Sequence, residues 1–155
     1  MILMLLPAQI YALPVELQSK HGDVYVISTI SGHAKTWNHE QQIVVPAILE
    51  MKCRVIEVTE KLVLFKIECG TLKIDETSYR IIGDWWCGIY HKGTEKFTIE
   101  ATAIDETGVR IHFRLFGDDA RHTPGGTYMT IVGYLKDSDG KHWRLSIRTW
   151  RFKAT

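Results

Sequence analysis

The segment IDETSYRI at residues 74–81 returns as IDETGVRI at residues 104–111 and, more loosely, as LKDSDGKHWRL at residues 135–145. Each copy is a polar turn followed by a strand in which apolar and polar side chains alternate. Successive copies begin about 30 residues apart, which is the length of two strands with their turns. The repeat therefore predicts a meander of antiparallel β-hairpins.

Further alternating segments on both sides of the repeats predict more strands, and no window of useful length has helical periodicity. The predicted strands are residues 23–30, 43–58, 61–69, 71–75, 78–90, 95–105, 109–116, 127–136 and 141–152. Residues 31–40 are predicted as a polar loop, and Pro46 as a bulge or a sheet edge. The sequence thus predicts an all-β fold, an antiparallel meander of about 8–9 strands in a closed or nearly closed barrel. A two-sheet sandwich is the alternative.

The length and charge of the chain narrow its class. Its 155 residues fit one domain that can bury a core without metal or disulfide support, and the predicted domain covers residues 13–155. The net charge is +1, so composition alone indicates neither a nucleic-acid partner nor an acidic one. No segment is long and apolar enough to predict a transmembrane helix.

Met1 to Ala12 form an apolar, uncharged run that differs from the polar segment after it. This length suits the hydrophobic core of a signal peptide, with cleavage after Ala12. The sequence therefore predicts export and a secreted or cell-surface location. A buried first strand would also account for the same residues.

Three cysteines are compatible with an exported or an internal protein. Cys53 and Cys69 flank the turn near Glu60 at almost equal distances, so they could face each other across a hairpin as a disulfide. The alternative is that all three cysteines are free thiols.

The repeats also predict which side chains share a face. In each copy an arginine follows the turn, and a large aromatic residue comes six positions later. The pairs are Arg80 with Trp86, Arg110 with Phe116, and Arg144 with Trp150. An even separation places both members of a pair on one face of the strand. The opposite face is predicted as the core, and it carries Ile81, Trp85, Ile111, Phe113, Leu115, Leu145 and Ile147.

The three strands run the same way in a meander, so their aromatic residues are predicted to gather at one rim of the barrel beside long loops. An aromatic rim with arginines behind it is typical of a binding surface. The candidate ligand-binding residues are Trp86, Phe116, Trp150, Arg110, Arg114, Arg144 and Arg148. The alternative is that the aromatic residues cap the core while the arginines face solvent.

The C-terminal segment, residues 141–155, interleaves basic with aromatic residues and contains no acid. This combination can bind single-stranded nucleic acid, anionic glycans or lipid headgroups. The plainer alternative is a last strand whose arginines pair with nearby carboxylates.

No catalytic residue is predicted, because the chain lacks a nucleophile elbow, a phosphate-binding glycine loop and a His-Glu-x-x-His motif. The protein is therefore predicted to be non-enzymatic and to need no cofactor. A copper site is the alternative, since His39, Cys87 and His91 have the order and rough spacing of a cupredoxin ligand set. Glu95 stands where the axial methionine of such a site would follow.

The Asp-x-x-Gly/Ser turn followed by an arginine-containing strand, between Thr71 and Phe152, resembles small uncharacterised secreted β-domain proteins of ammonia-oxidising archaea. The resemblance implies a secreted β-domain and no particular activity. The predicted function is binding or surface assembly through the aromatic and arginine rim, with a glycan, a small apolar ligand or another surface protein as partner. The alternatives are a calycin-like carrier of a small apolar ligand and a cupredoxin-like copper protein.

Overall fold

The structure is a computed structural model that describes residues 19–83 and 88–154, apart from the side chain of Asp119. Every helix or strand element in these ranges is a β-strand. The strands are β1 (Val24–Asn38), β2 (Gln41–Val58), β3 (Leu62–Ile74), β4 (Thr77–Ile82), β5 (Gly88–His91), β6 (Lys96–Ile104), β7 (Arg110–Thr123), β8 (Gly126–Lys136) and β9 (His142–Lys153). The described ranges contain no helix long and apolar enough to cross a bilayer.

The strands form a closed barrel. Neighbours pair antiparallel, and the pairing of β1 with β9 closes the sheet on itself. β5 continues the line of β4, because both lie between β3 and β6 at different heights. The predicted closed antiparallel barrel is confirmed, and closure removes the unpaired edges that a sandwich would leave.

The prediction of a loop at residues 31–40 is wrong for most of this segment, because β1 continues to Asn38. Ala34 and Thr36 are buried in the barrel, so the alternation of inner and outer side chains is kept. The register of β1 against β9 shifts between Thr29 and Ser31. This bulge interrupts the alternating pattern that would mark one long strand in the sequence.

Other strand boundaries also differ from the prediction. The strand predicted to end at Phe116 continues as β7 to Thr123, with a second register shift between Asp118 and Arg121. The two short strands predicted between residues 61 and 75 are one strand, β3. The long strand predicted from residue 78 to 90 is divided into β4 and β5.

The turns of the three repeats lie together at one end of the barrel, here named the repeat end. In the second copy the Asp105 carboxylate accepts hydrogen bonds from the N–H groups two and four residues later, both at 2.9 Å. Asp137 does the same in the third copy, at 2.9 and 2.8 Å. Each turn then needs a left-handed residue, which is Gly108 at φ 86° and Gly140 at φ 84°.

The first copy of the repeat makes a different turn. It has Ser78 where the other copies have glycine, and a residue with a Cβ disfavours that left-handed conformation. Ile74 instead pairs with Thr77 across the two-residue turn Asp75-Glu76. The serine in place of glycine is thus a physical reason for the different turn lengths within the repeat.

The predicted core face is confirmed. Apolar side chains from every strand fill the barrel, and the buried ones include the predicted residues Ile81, Ile111, Phe113, Leu115, Leu145 and Ile147. Trp85, also predicted for this face, lies outside the described residues.

Polar side chains enter the barrel at the end opposite the repeat end. Arg151 is 7% exposed, and its guanidinium lies 5.7 Å from the centre of the Tyr90 ring. Burial lowers the pKa of Arg151 to about 9. The cavity among these side chains has about 30 Å³, enough for a water molecule. A carrier needs hundreds of Å³ for an organic ligand, so this cavity does not support the carrier alternative.

Two buried tyrosines give a matched test of the polar interior. The Tyr25 hydroxyl lies 2.7 Å from the Ser19 hydroxyl, whereas the Tyr90 hydroxyl has no hydrogen-bond partner in the described ranges. We expect Tyr25→Phe to lower the free energy of unfolding by about 0.5–1.5 kcal/mol, and Tyr90→Phe to leave it unchanged or raise it slightly. Urea denaturation at pH 7 measures both, and an equal loss in the two variants would contradict the prediction.

Tyr90→Phe should also change stability in alkali. Burial raises the pKa of Tyr90, so above about pH 10 the unfolded chain loses a phenol proton that the native state keeps. The native state then binds more protons, and the free energy of unfolding falls as the pH rises. Tyr90→Phe should make this fall shallower from about pH 10 upward.

The two candidate disulfide partners do not face each other. Cys53 is buried inside the barrel opposite Ile67, while Cys69 is exposed opposite Lys52. The register of β2 against β3 shifts between Lys52 and Cys53, which places the two thiols on different faces of the wall. The proposed Cys53–Cys69 bond is therefore wrong.

Candidate binding surface

The predicted aromatic rim is not formed by the described residues. Phe116 lies in the middle of β7 and is level with Ser146 on β9, by way of Val132. Trp150 comes four residues after Ser146, which is about 13 Å further along the strand. Trp86 lies outside the described residues.

Trp150 has a local packing partner instead. Its ring centre lies 4.5 Å from that of Tyr128 on the neighbouring strand. A Cβ added to Gly126 would meet the Trp150 ring at 2.8 Å, so the ring covers the β7–β8 hairpin. Trp150 therefore packs on the outer face of the barrel wall, against a side chain that is itself exposed.

The predicted arginines do face outward, and two of them share one row. Pairing places Lys35 of β1, Arg144 of β9, Tyr134 of β8 and Arg114 of β7 side by side across four strands. Neighbouring strands are about 4.8 Å apart, so the row is about 15 Å long. Arg110 and Arg148 are exposed elsewhere on the same strands.

A groove of about 750 Å³ runs over the Lys35, Arg144 and Tyr134 part of this row, and Arg114 lies outside its lining. Trp37 and Lys136 lie two residues beyond the row toward the repeat end, and His33 and Val132 lie two residues beyond it the other way. We name this surface the basic wall: the outer faces of β1, β9, β8 and β7 around the row of Lys35, Arg144, Tyr134 and Arg114.

The basic wall is electrostatically one-sided. Lysine, arginine and histidine side chains line its groove, and none of the described lining residues is acidic. Glu100 on β6 borders the wall, with its Oε1 3.0 Å from His112 Nε2 and 3.1 Å from Arg114 Nη2. His112 and Arg114 hold the pKa of Glu100 below its usual range. The lining of the groove therefore carries basic side chains and no acidic one among those described, while Glu100 pairs with His112 and Arg114 at the β7 side.

The basic residues on the opposite side of the barrel are arranged differently. There Glu68 on β3 forms an ion pair with Arg54 and lies 4.0 Å from Lys52 on β2. The Arg54 guanidinium holds the pKa of Glu68 below its usual range. A carboxylate thus lies within that basic cluster, whereas no acidic residue is among the described lining of the groove on the basic wall.

Two aromatic side chains stand out from the basic wall into solvent. Trp37 is 67% exposed and Tyr134 is 56% exposed. Large rings left in water on a basic surface are typical of a site that stacks a planar group.

Sequence analysis identified Arg114, Arg144 and Phe116 on this surface but missed Lys35, Trp37 and Tyr134. The predicted loop at residues 31–40 concealed the two β1 residues. In the structure these residues keep the two-residue period of a strand, because positions 34 and 36 are buried while positions 35 and 37 face outward. The cross-strand row itself depends on register, which no local pattern contains.

The copper ligands are not brought together. His39 lies in the β1–β2 turn at the repeat end, and His91 ends β5 at the opposite end. Cys87 lies outside the described residues. Within the described ranges, no group of three or more His, Cys, Asp or Glu side chains could hold a metal ion.

Comparison with protein-family models, with curated proteins and with solved structures found no match.

Proposed function

We propose that this protein is a non-enzymatic, extracytoplasmic domain that acts by binding an anionic ligand on the basic wall. The observation that carries the proposal is the groove of about 750 Å³ that basic and aromatic side chains line without an acidic one among those described. The proposed site is the basic wall in place of the rim predicted from the sequence. Arg114 and Arg144 are the predicted contact residues that belong to both.

The low net charge of the chain makes the basic wall stronger evidence for an anionic ligand. The whole chain carries only +1, so a positive surface is not a by-product of a basic protein. Like charges on neighbouring strands repel each other, and this repulsion costs folding free energy. An anionic ligand would relieve the repulsion, which is a physical reason for the side chains to be gathered there.

The extracytoplasmic location rests on Met1 to Ala12, which lie outside the described residues. The resemblance to secreted archaeal β-domains supports the same location. Neither bears on the choice of ligand, which rests on the basic wall alone.

The experiment is binding of fluorescently labelled heparin, used as a general polyanion, to the full chain at several salt concentrations. The test variant is Lys35→Gln with Arg144→Gln. Its control is Lys73→Gln with Arg80→Gln, which removes the same charges from exposed positions on the opposite strands β3 and β4.

We expect the test variant to bind about tenfold more weakly at low salt and the control to bind like the native protein. The slope of log affinity against log salt should fall by roughly 1.5 in the test variant, since each lost anion contact removes 0.7–0.9. Equal weakening in both variants would refute a localised site, and so would a native protein that does not bind.

A further inference from the structure

We infer that the anionic ligand of the basic wall is single-stranded nucleic acid, with its bases stacked on Trp37 and Tyr134 and its phosphates held by the basic residues between them. This inference rests on the proposed function and narrows it to one class of ligand. The juxtaposition that carries it is two solvent-exposed rings on either side of a pair of cationic side chains.

The spacing of the rings suits a flexible chain of bases. Trp37 lies two strands away from Tyr134 and two residues further along the strand direction, which is about 12 Å between their Cα atoms. Phe116, 36% exposed, lies about 8 Å beyond Tyr134 in the same diagonal direction. Exposed aromatic rings on a β-sheet form stacking platforms for bases of an unpaired strand, and a gap of about 12 Å leaves room for an unstacked nucleotide between two stacked ones.

The cations lie where the backbone of such a strand would pass. Lys35 and Arg144 pair directly across β1 and β9, and both lie level with Tyr134 and two residues short of Trp37 along the strands. Arg114 lies level with Tyr134 on its other side, where it also donates a hydrogen bond to Glu100 at 3.1 Å. Cations therefore lie beside the diagonal of rings, within reach of the phosphates of a strand stacked on them.

Other polyanions use only part of this surface. A duplex keeps its bases paired inside, so Trp37 and Tyr134 would find no free base face. A sulfated polysaccharide supplies charge, but its saturated sugar rings are not the planar aromatic groups that stack most favourably on exposed side-chain rings. An unpaired nucleic acid offers planar bases to the rings and phosphates to the cations.

The experiment measures fluorescence anisotropy of labelled twelve-residue oligodeoxythymidine and oligouridine with the full chain. A DNA duplex of the same length and labelled heparin are the comparison probes. The variants are Trp37→Ala and Tyr134→Ala, with Tyr134→Phe to keep the ring and Ile48→Ala as an exposed apolar control on β2.

We expect at least one single-stranded probe to bind more tightly than the duplex. Each alanine variant should weaken that binding by roughly fivefold or more without changing its salt slope. Tyr134→Phe and Ile48→Ala should bind like the native protein. A circular dichroism melt of each variant establishes that it is folded.

The inference is overturned if neither single-stranded probe binds more tightly than the duplex, or if both alanine variants bind the single-stranded probes normally. In that case heparin binding that still depends on Lys35 and Arg144 would leave the proposed function standing. Absence of binding to every polyanion would overturn both.

Discussion

Phe113→Ala is expected to lower the free energy of unfolding by about 3–5 kcal/mol, the range for truncating a buried phenylalanine. Phe113 lies on β7 and is 1% exposed inside the barrel. Its flanking side chains on the inner face, Ile111 and Leu115, are also buried, so little can move to fill the space. A domain of this size is stabilised by only about 5–15 kcal/mol, so the variant would lose a large share of its stability.

The control for this prediction is Phe116→Ala, three residues later on the opposite face of the same strand. Phe116 is 36% exposed, and we expect its replacement to change stability by about 0.5 kcal/mol or less. Urea denaturation followed by circular dichroism measures both variants. Similar losses at the two positions would contradict the assignment of inner and outer faces.

Asp137→Ala should have the next largest effect, a loss of about 2–4 kcal/mol. The Asp137 carboxylate accepts two backbone N–H groups of its own turn. It also accepts the indole N–H of Trp143 at 2.7 Å, and Trp143 is buried. Alanine would remove three hydrogen bonds to a charged group and leave a buried donor unpaired.

Asp139→Ala is the matched control, because it removes the same charge from the same turn. Asp139 is exposed, and no hydrogen bond of its carboxylate is found in the described ranges. Thermal melts at pH 7 should therefore separate the two variants clearly. Equal melting temperatures would show that the carboxylate of Asp137 does not hold the turn to Trp143.

The repeat was enough to predict the barrel because its information is local. A turn aspartate, a glycine and an alternating strand specify a hairpin without reference to the rest of the chain. The turns at Asp105 and Asp137 and the buried face of each following strand are predicted correctly on that basis, although their shared hydrogen-bond pattern is seen only in the structure. Ser78 shows the limit of the approach, because one missing glycine changed the turn within the same repeat.

The prediction failed where a strand departs from strict alternation. The bulges near Thr29 and Asp118 shift the alternation of inner and outer side chains, so the sequence predicts the end of a strand where the strand in fact continues. The binding surface was concealed for a different reason. Lys35 and Arg144 are neighbours only because β1 pairs with β9, and that pairing joins the two ends of the sheet.

This closing pair has a consequence for how the barrel forms. The other pairings in the sheet join strands that are close in the chain, so they can form one hairpin after another with small losses of chain entropy. The pairing of β1 with β9 joins segments that are distant in the chain, so the loss of chain entropy on closing that long loop occurs in one step, the closure of the barrel. Lys35 and Arg144 face each other across that seam, so the basic wall exists only after closure. A polyanion that bridges the seam would bind only the closed barrel and would therefore stabilise it. Ligand affinity and the free energy of barrel opening would then be thermodynamically linked.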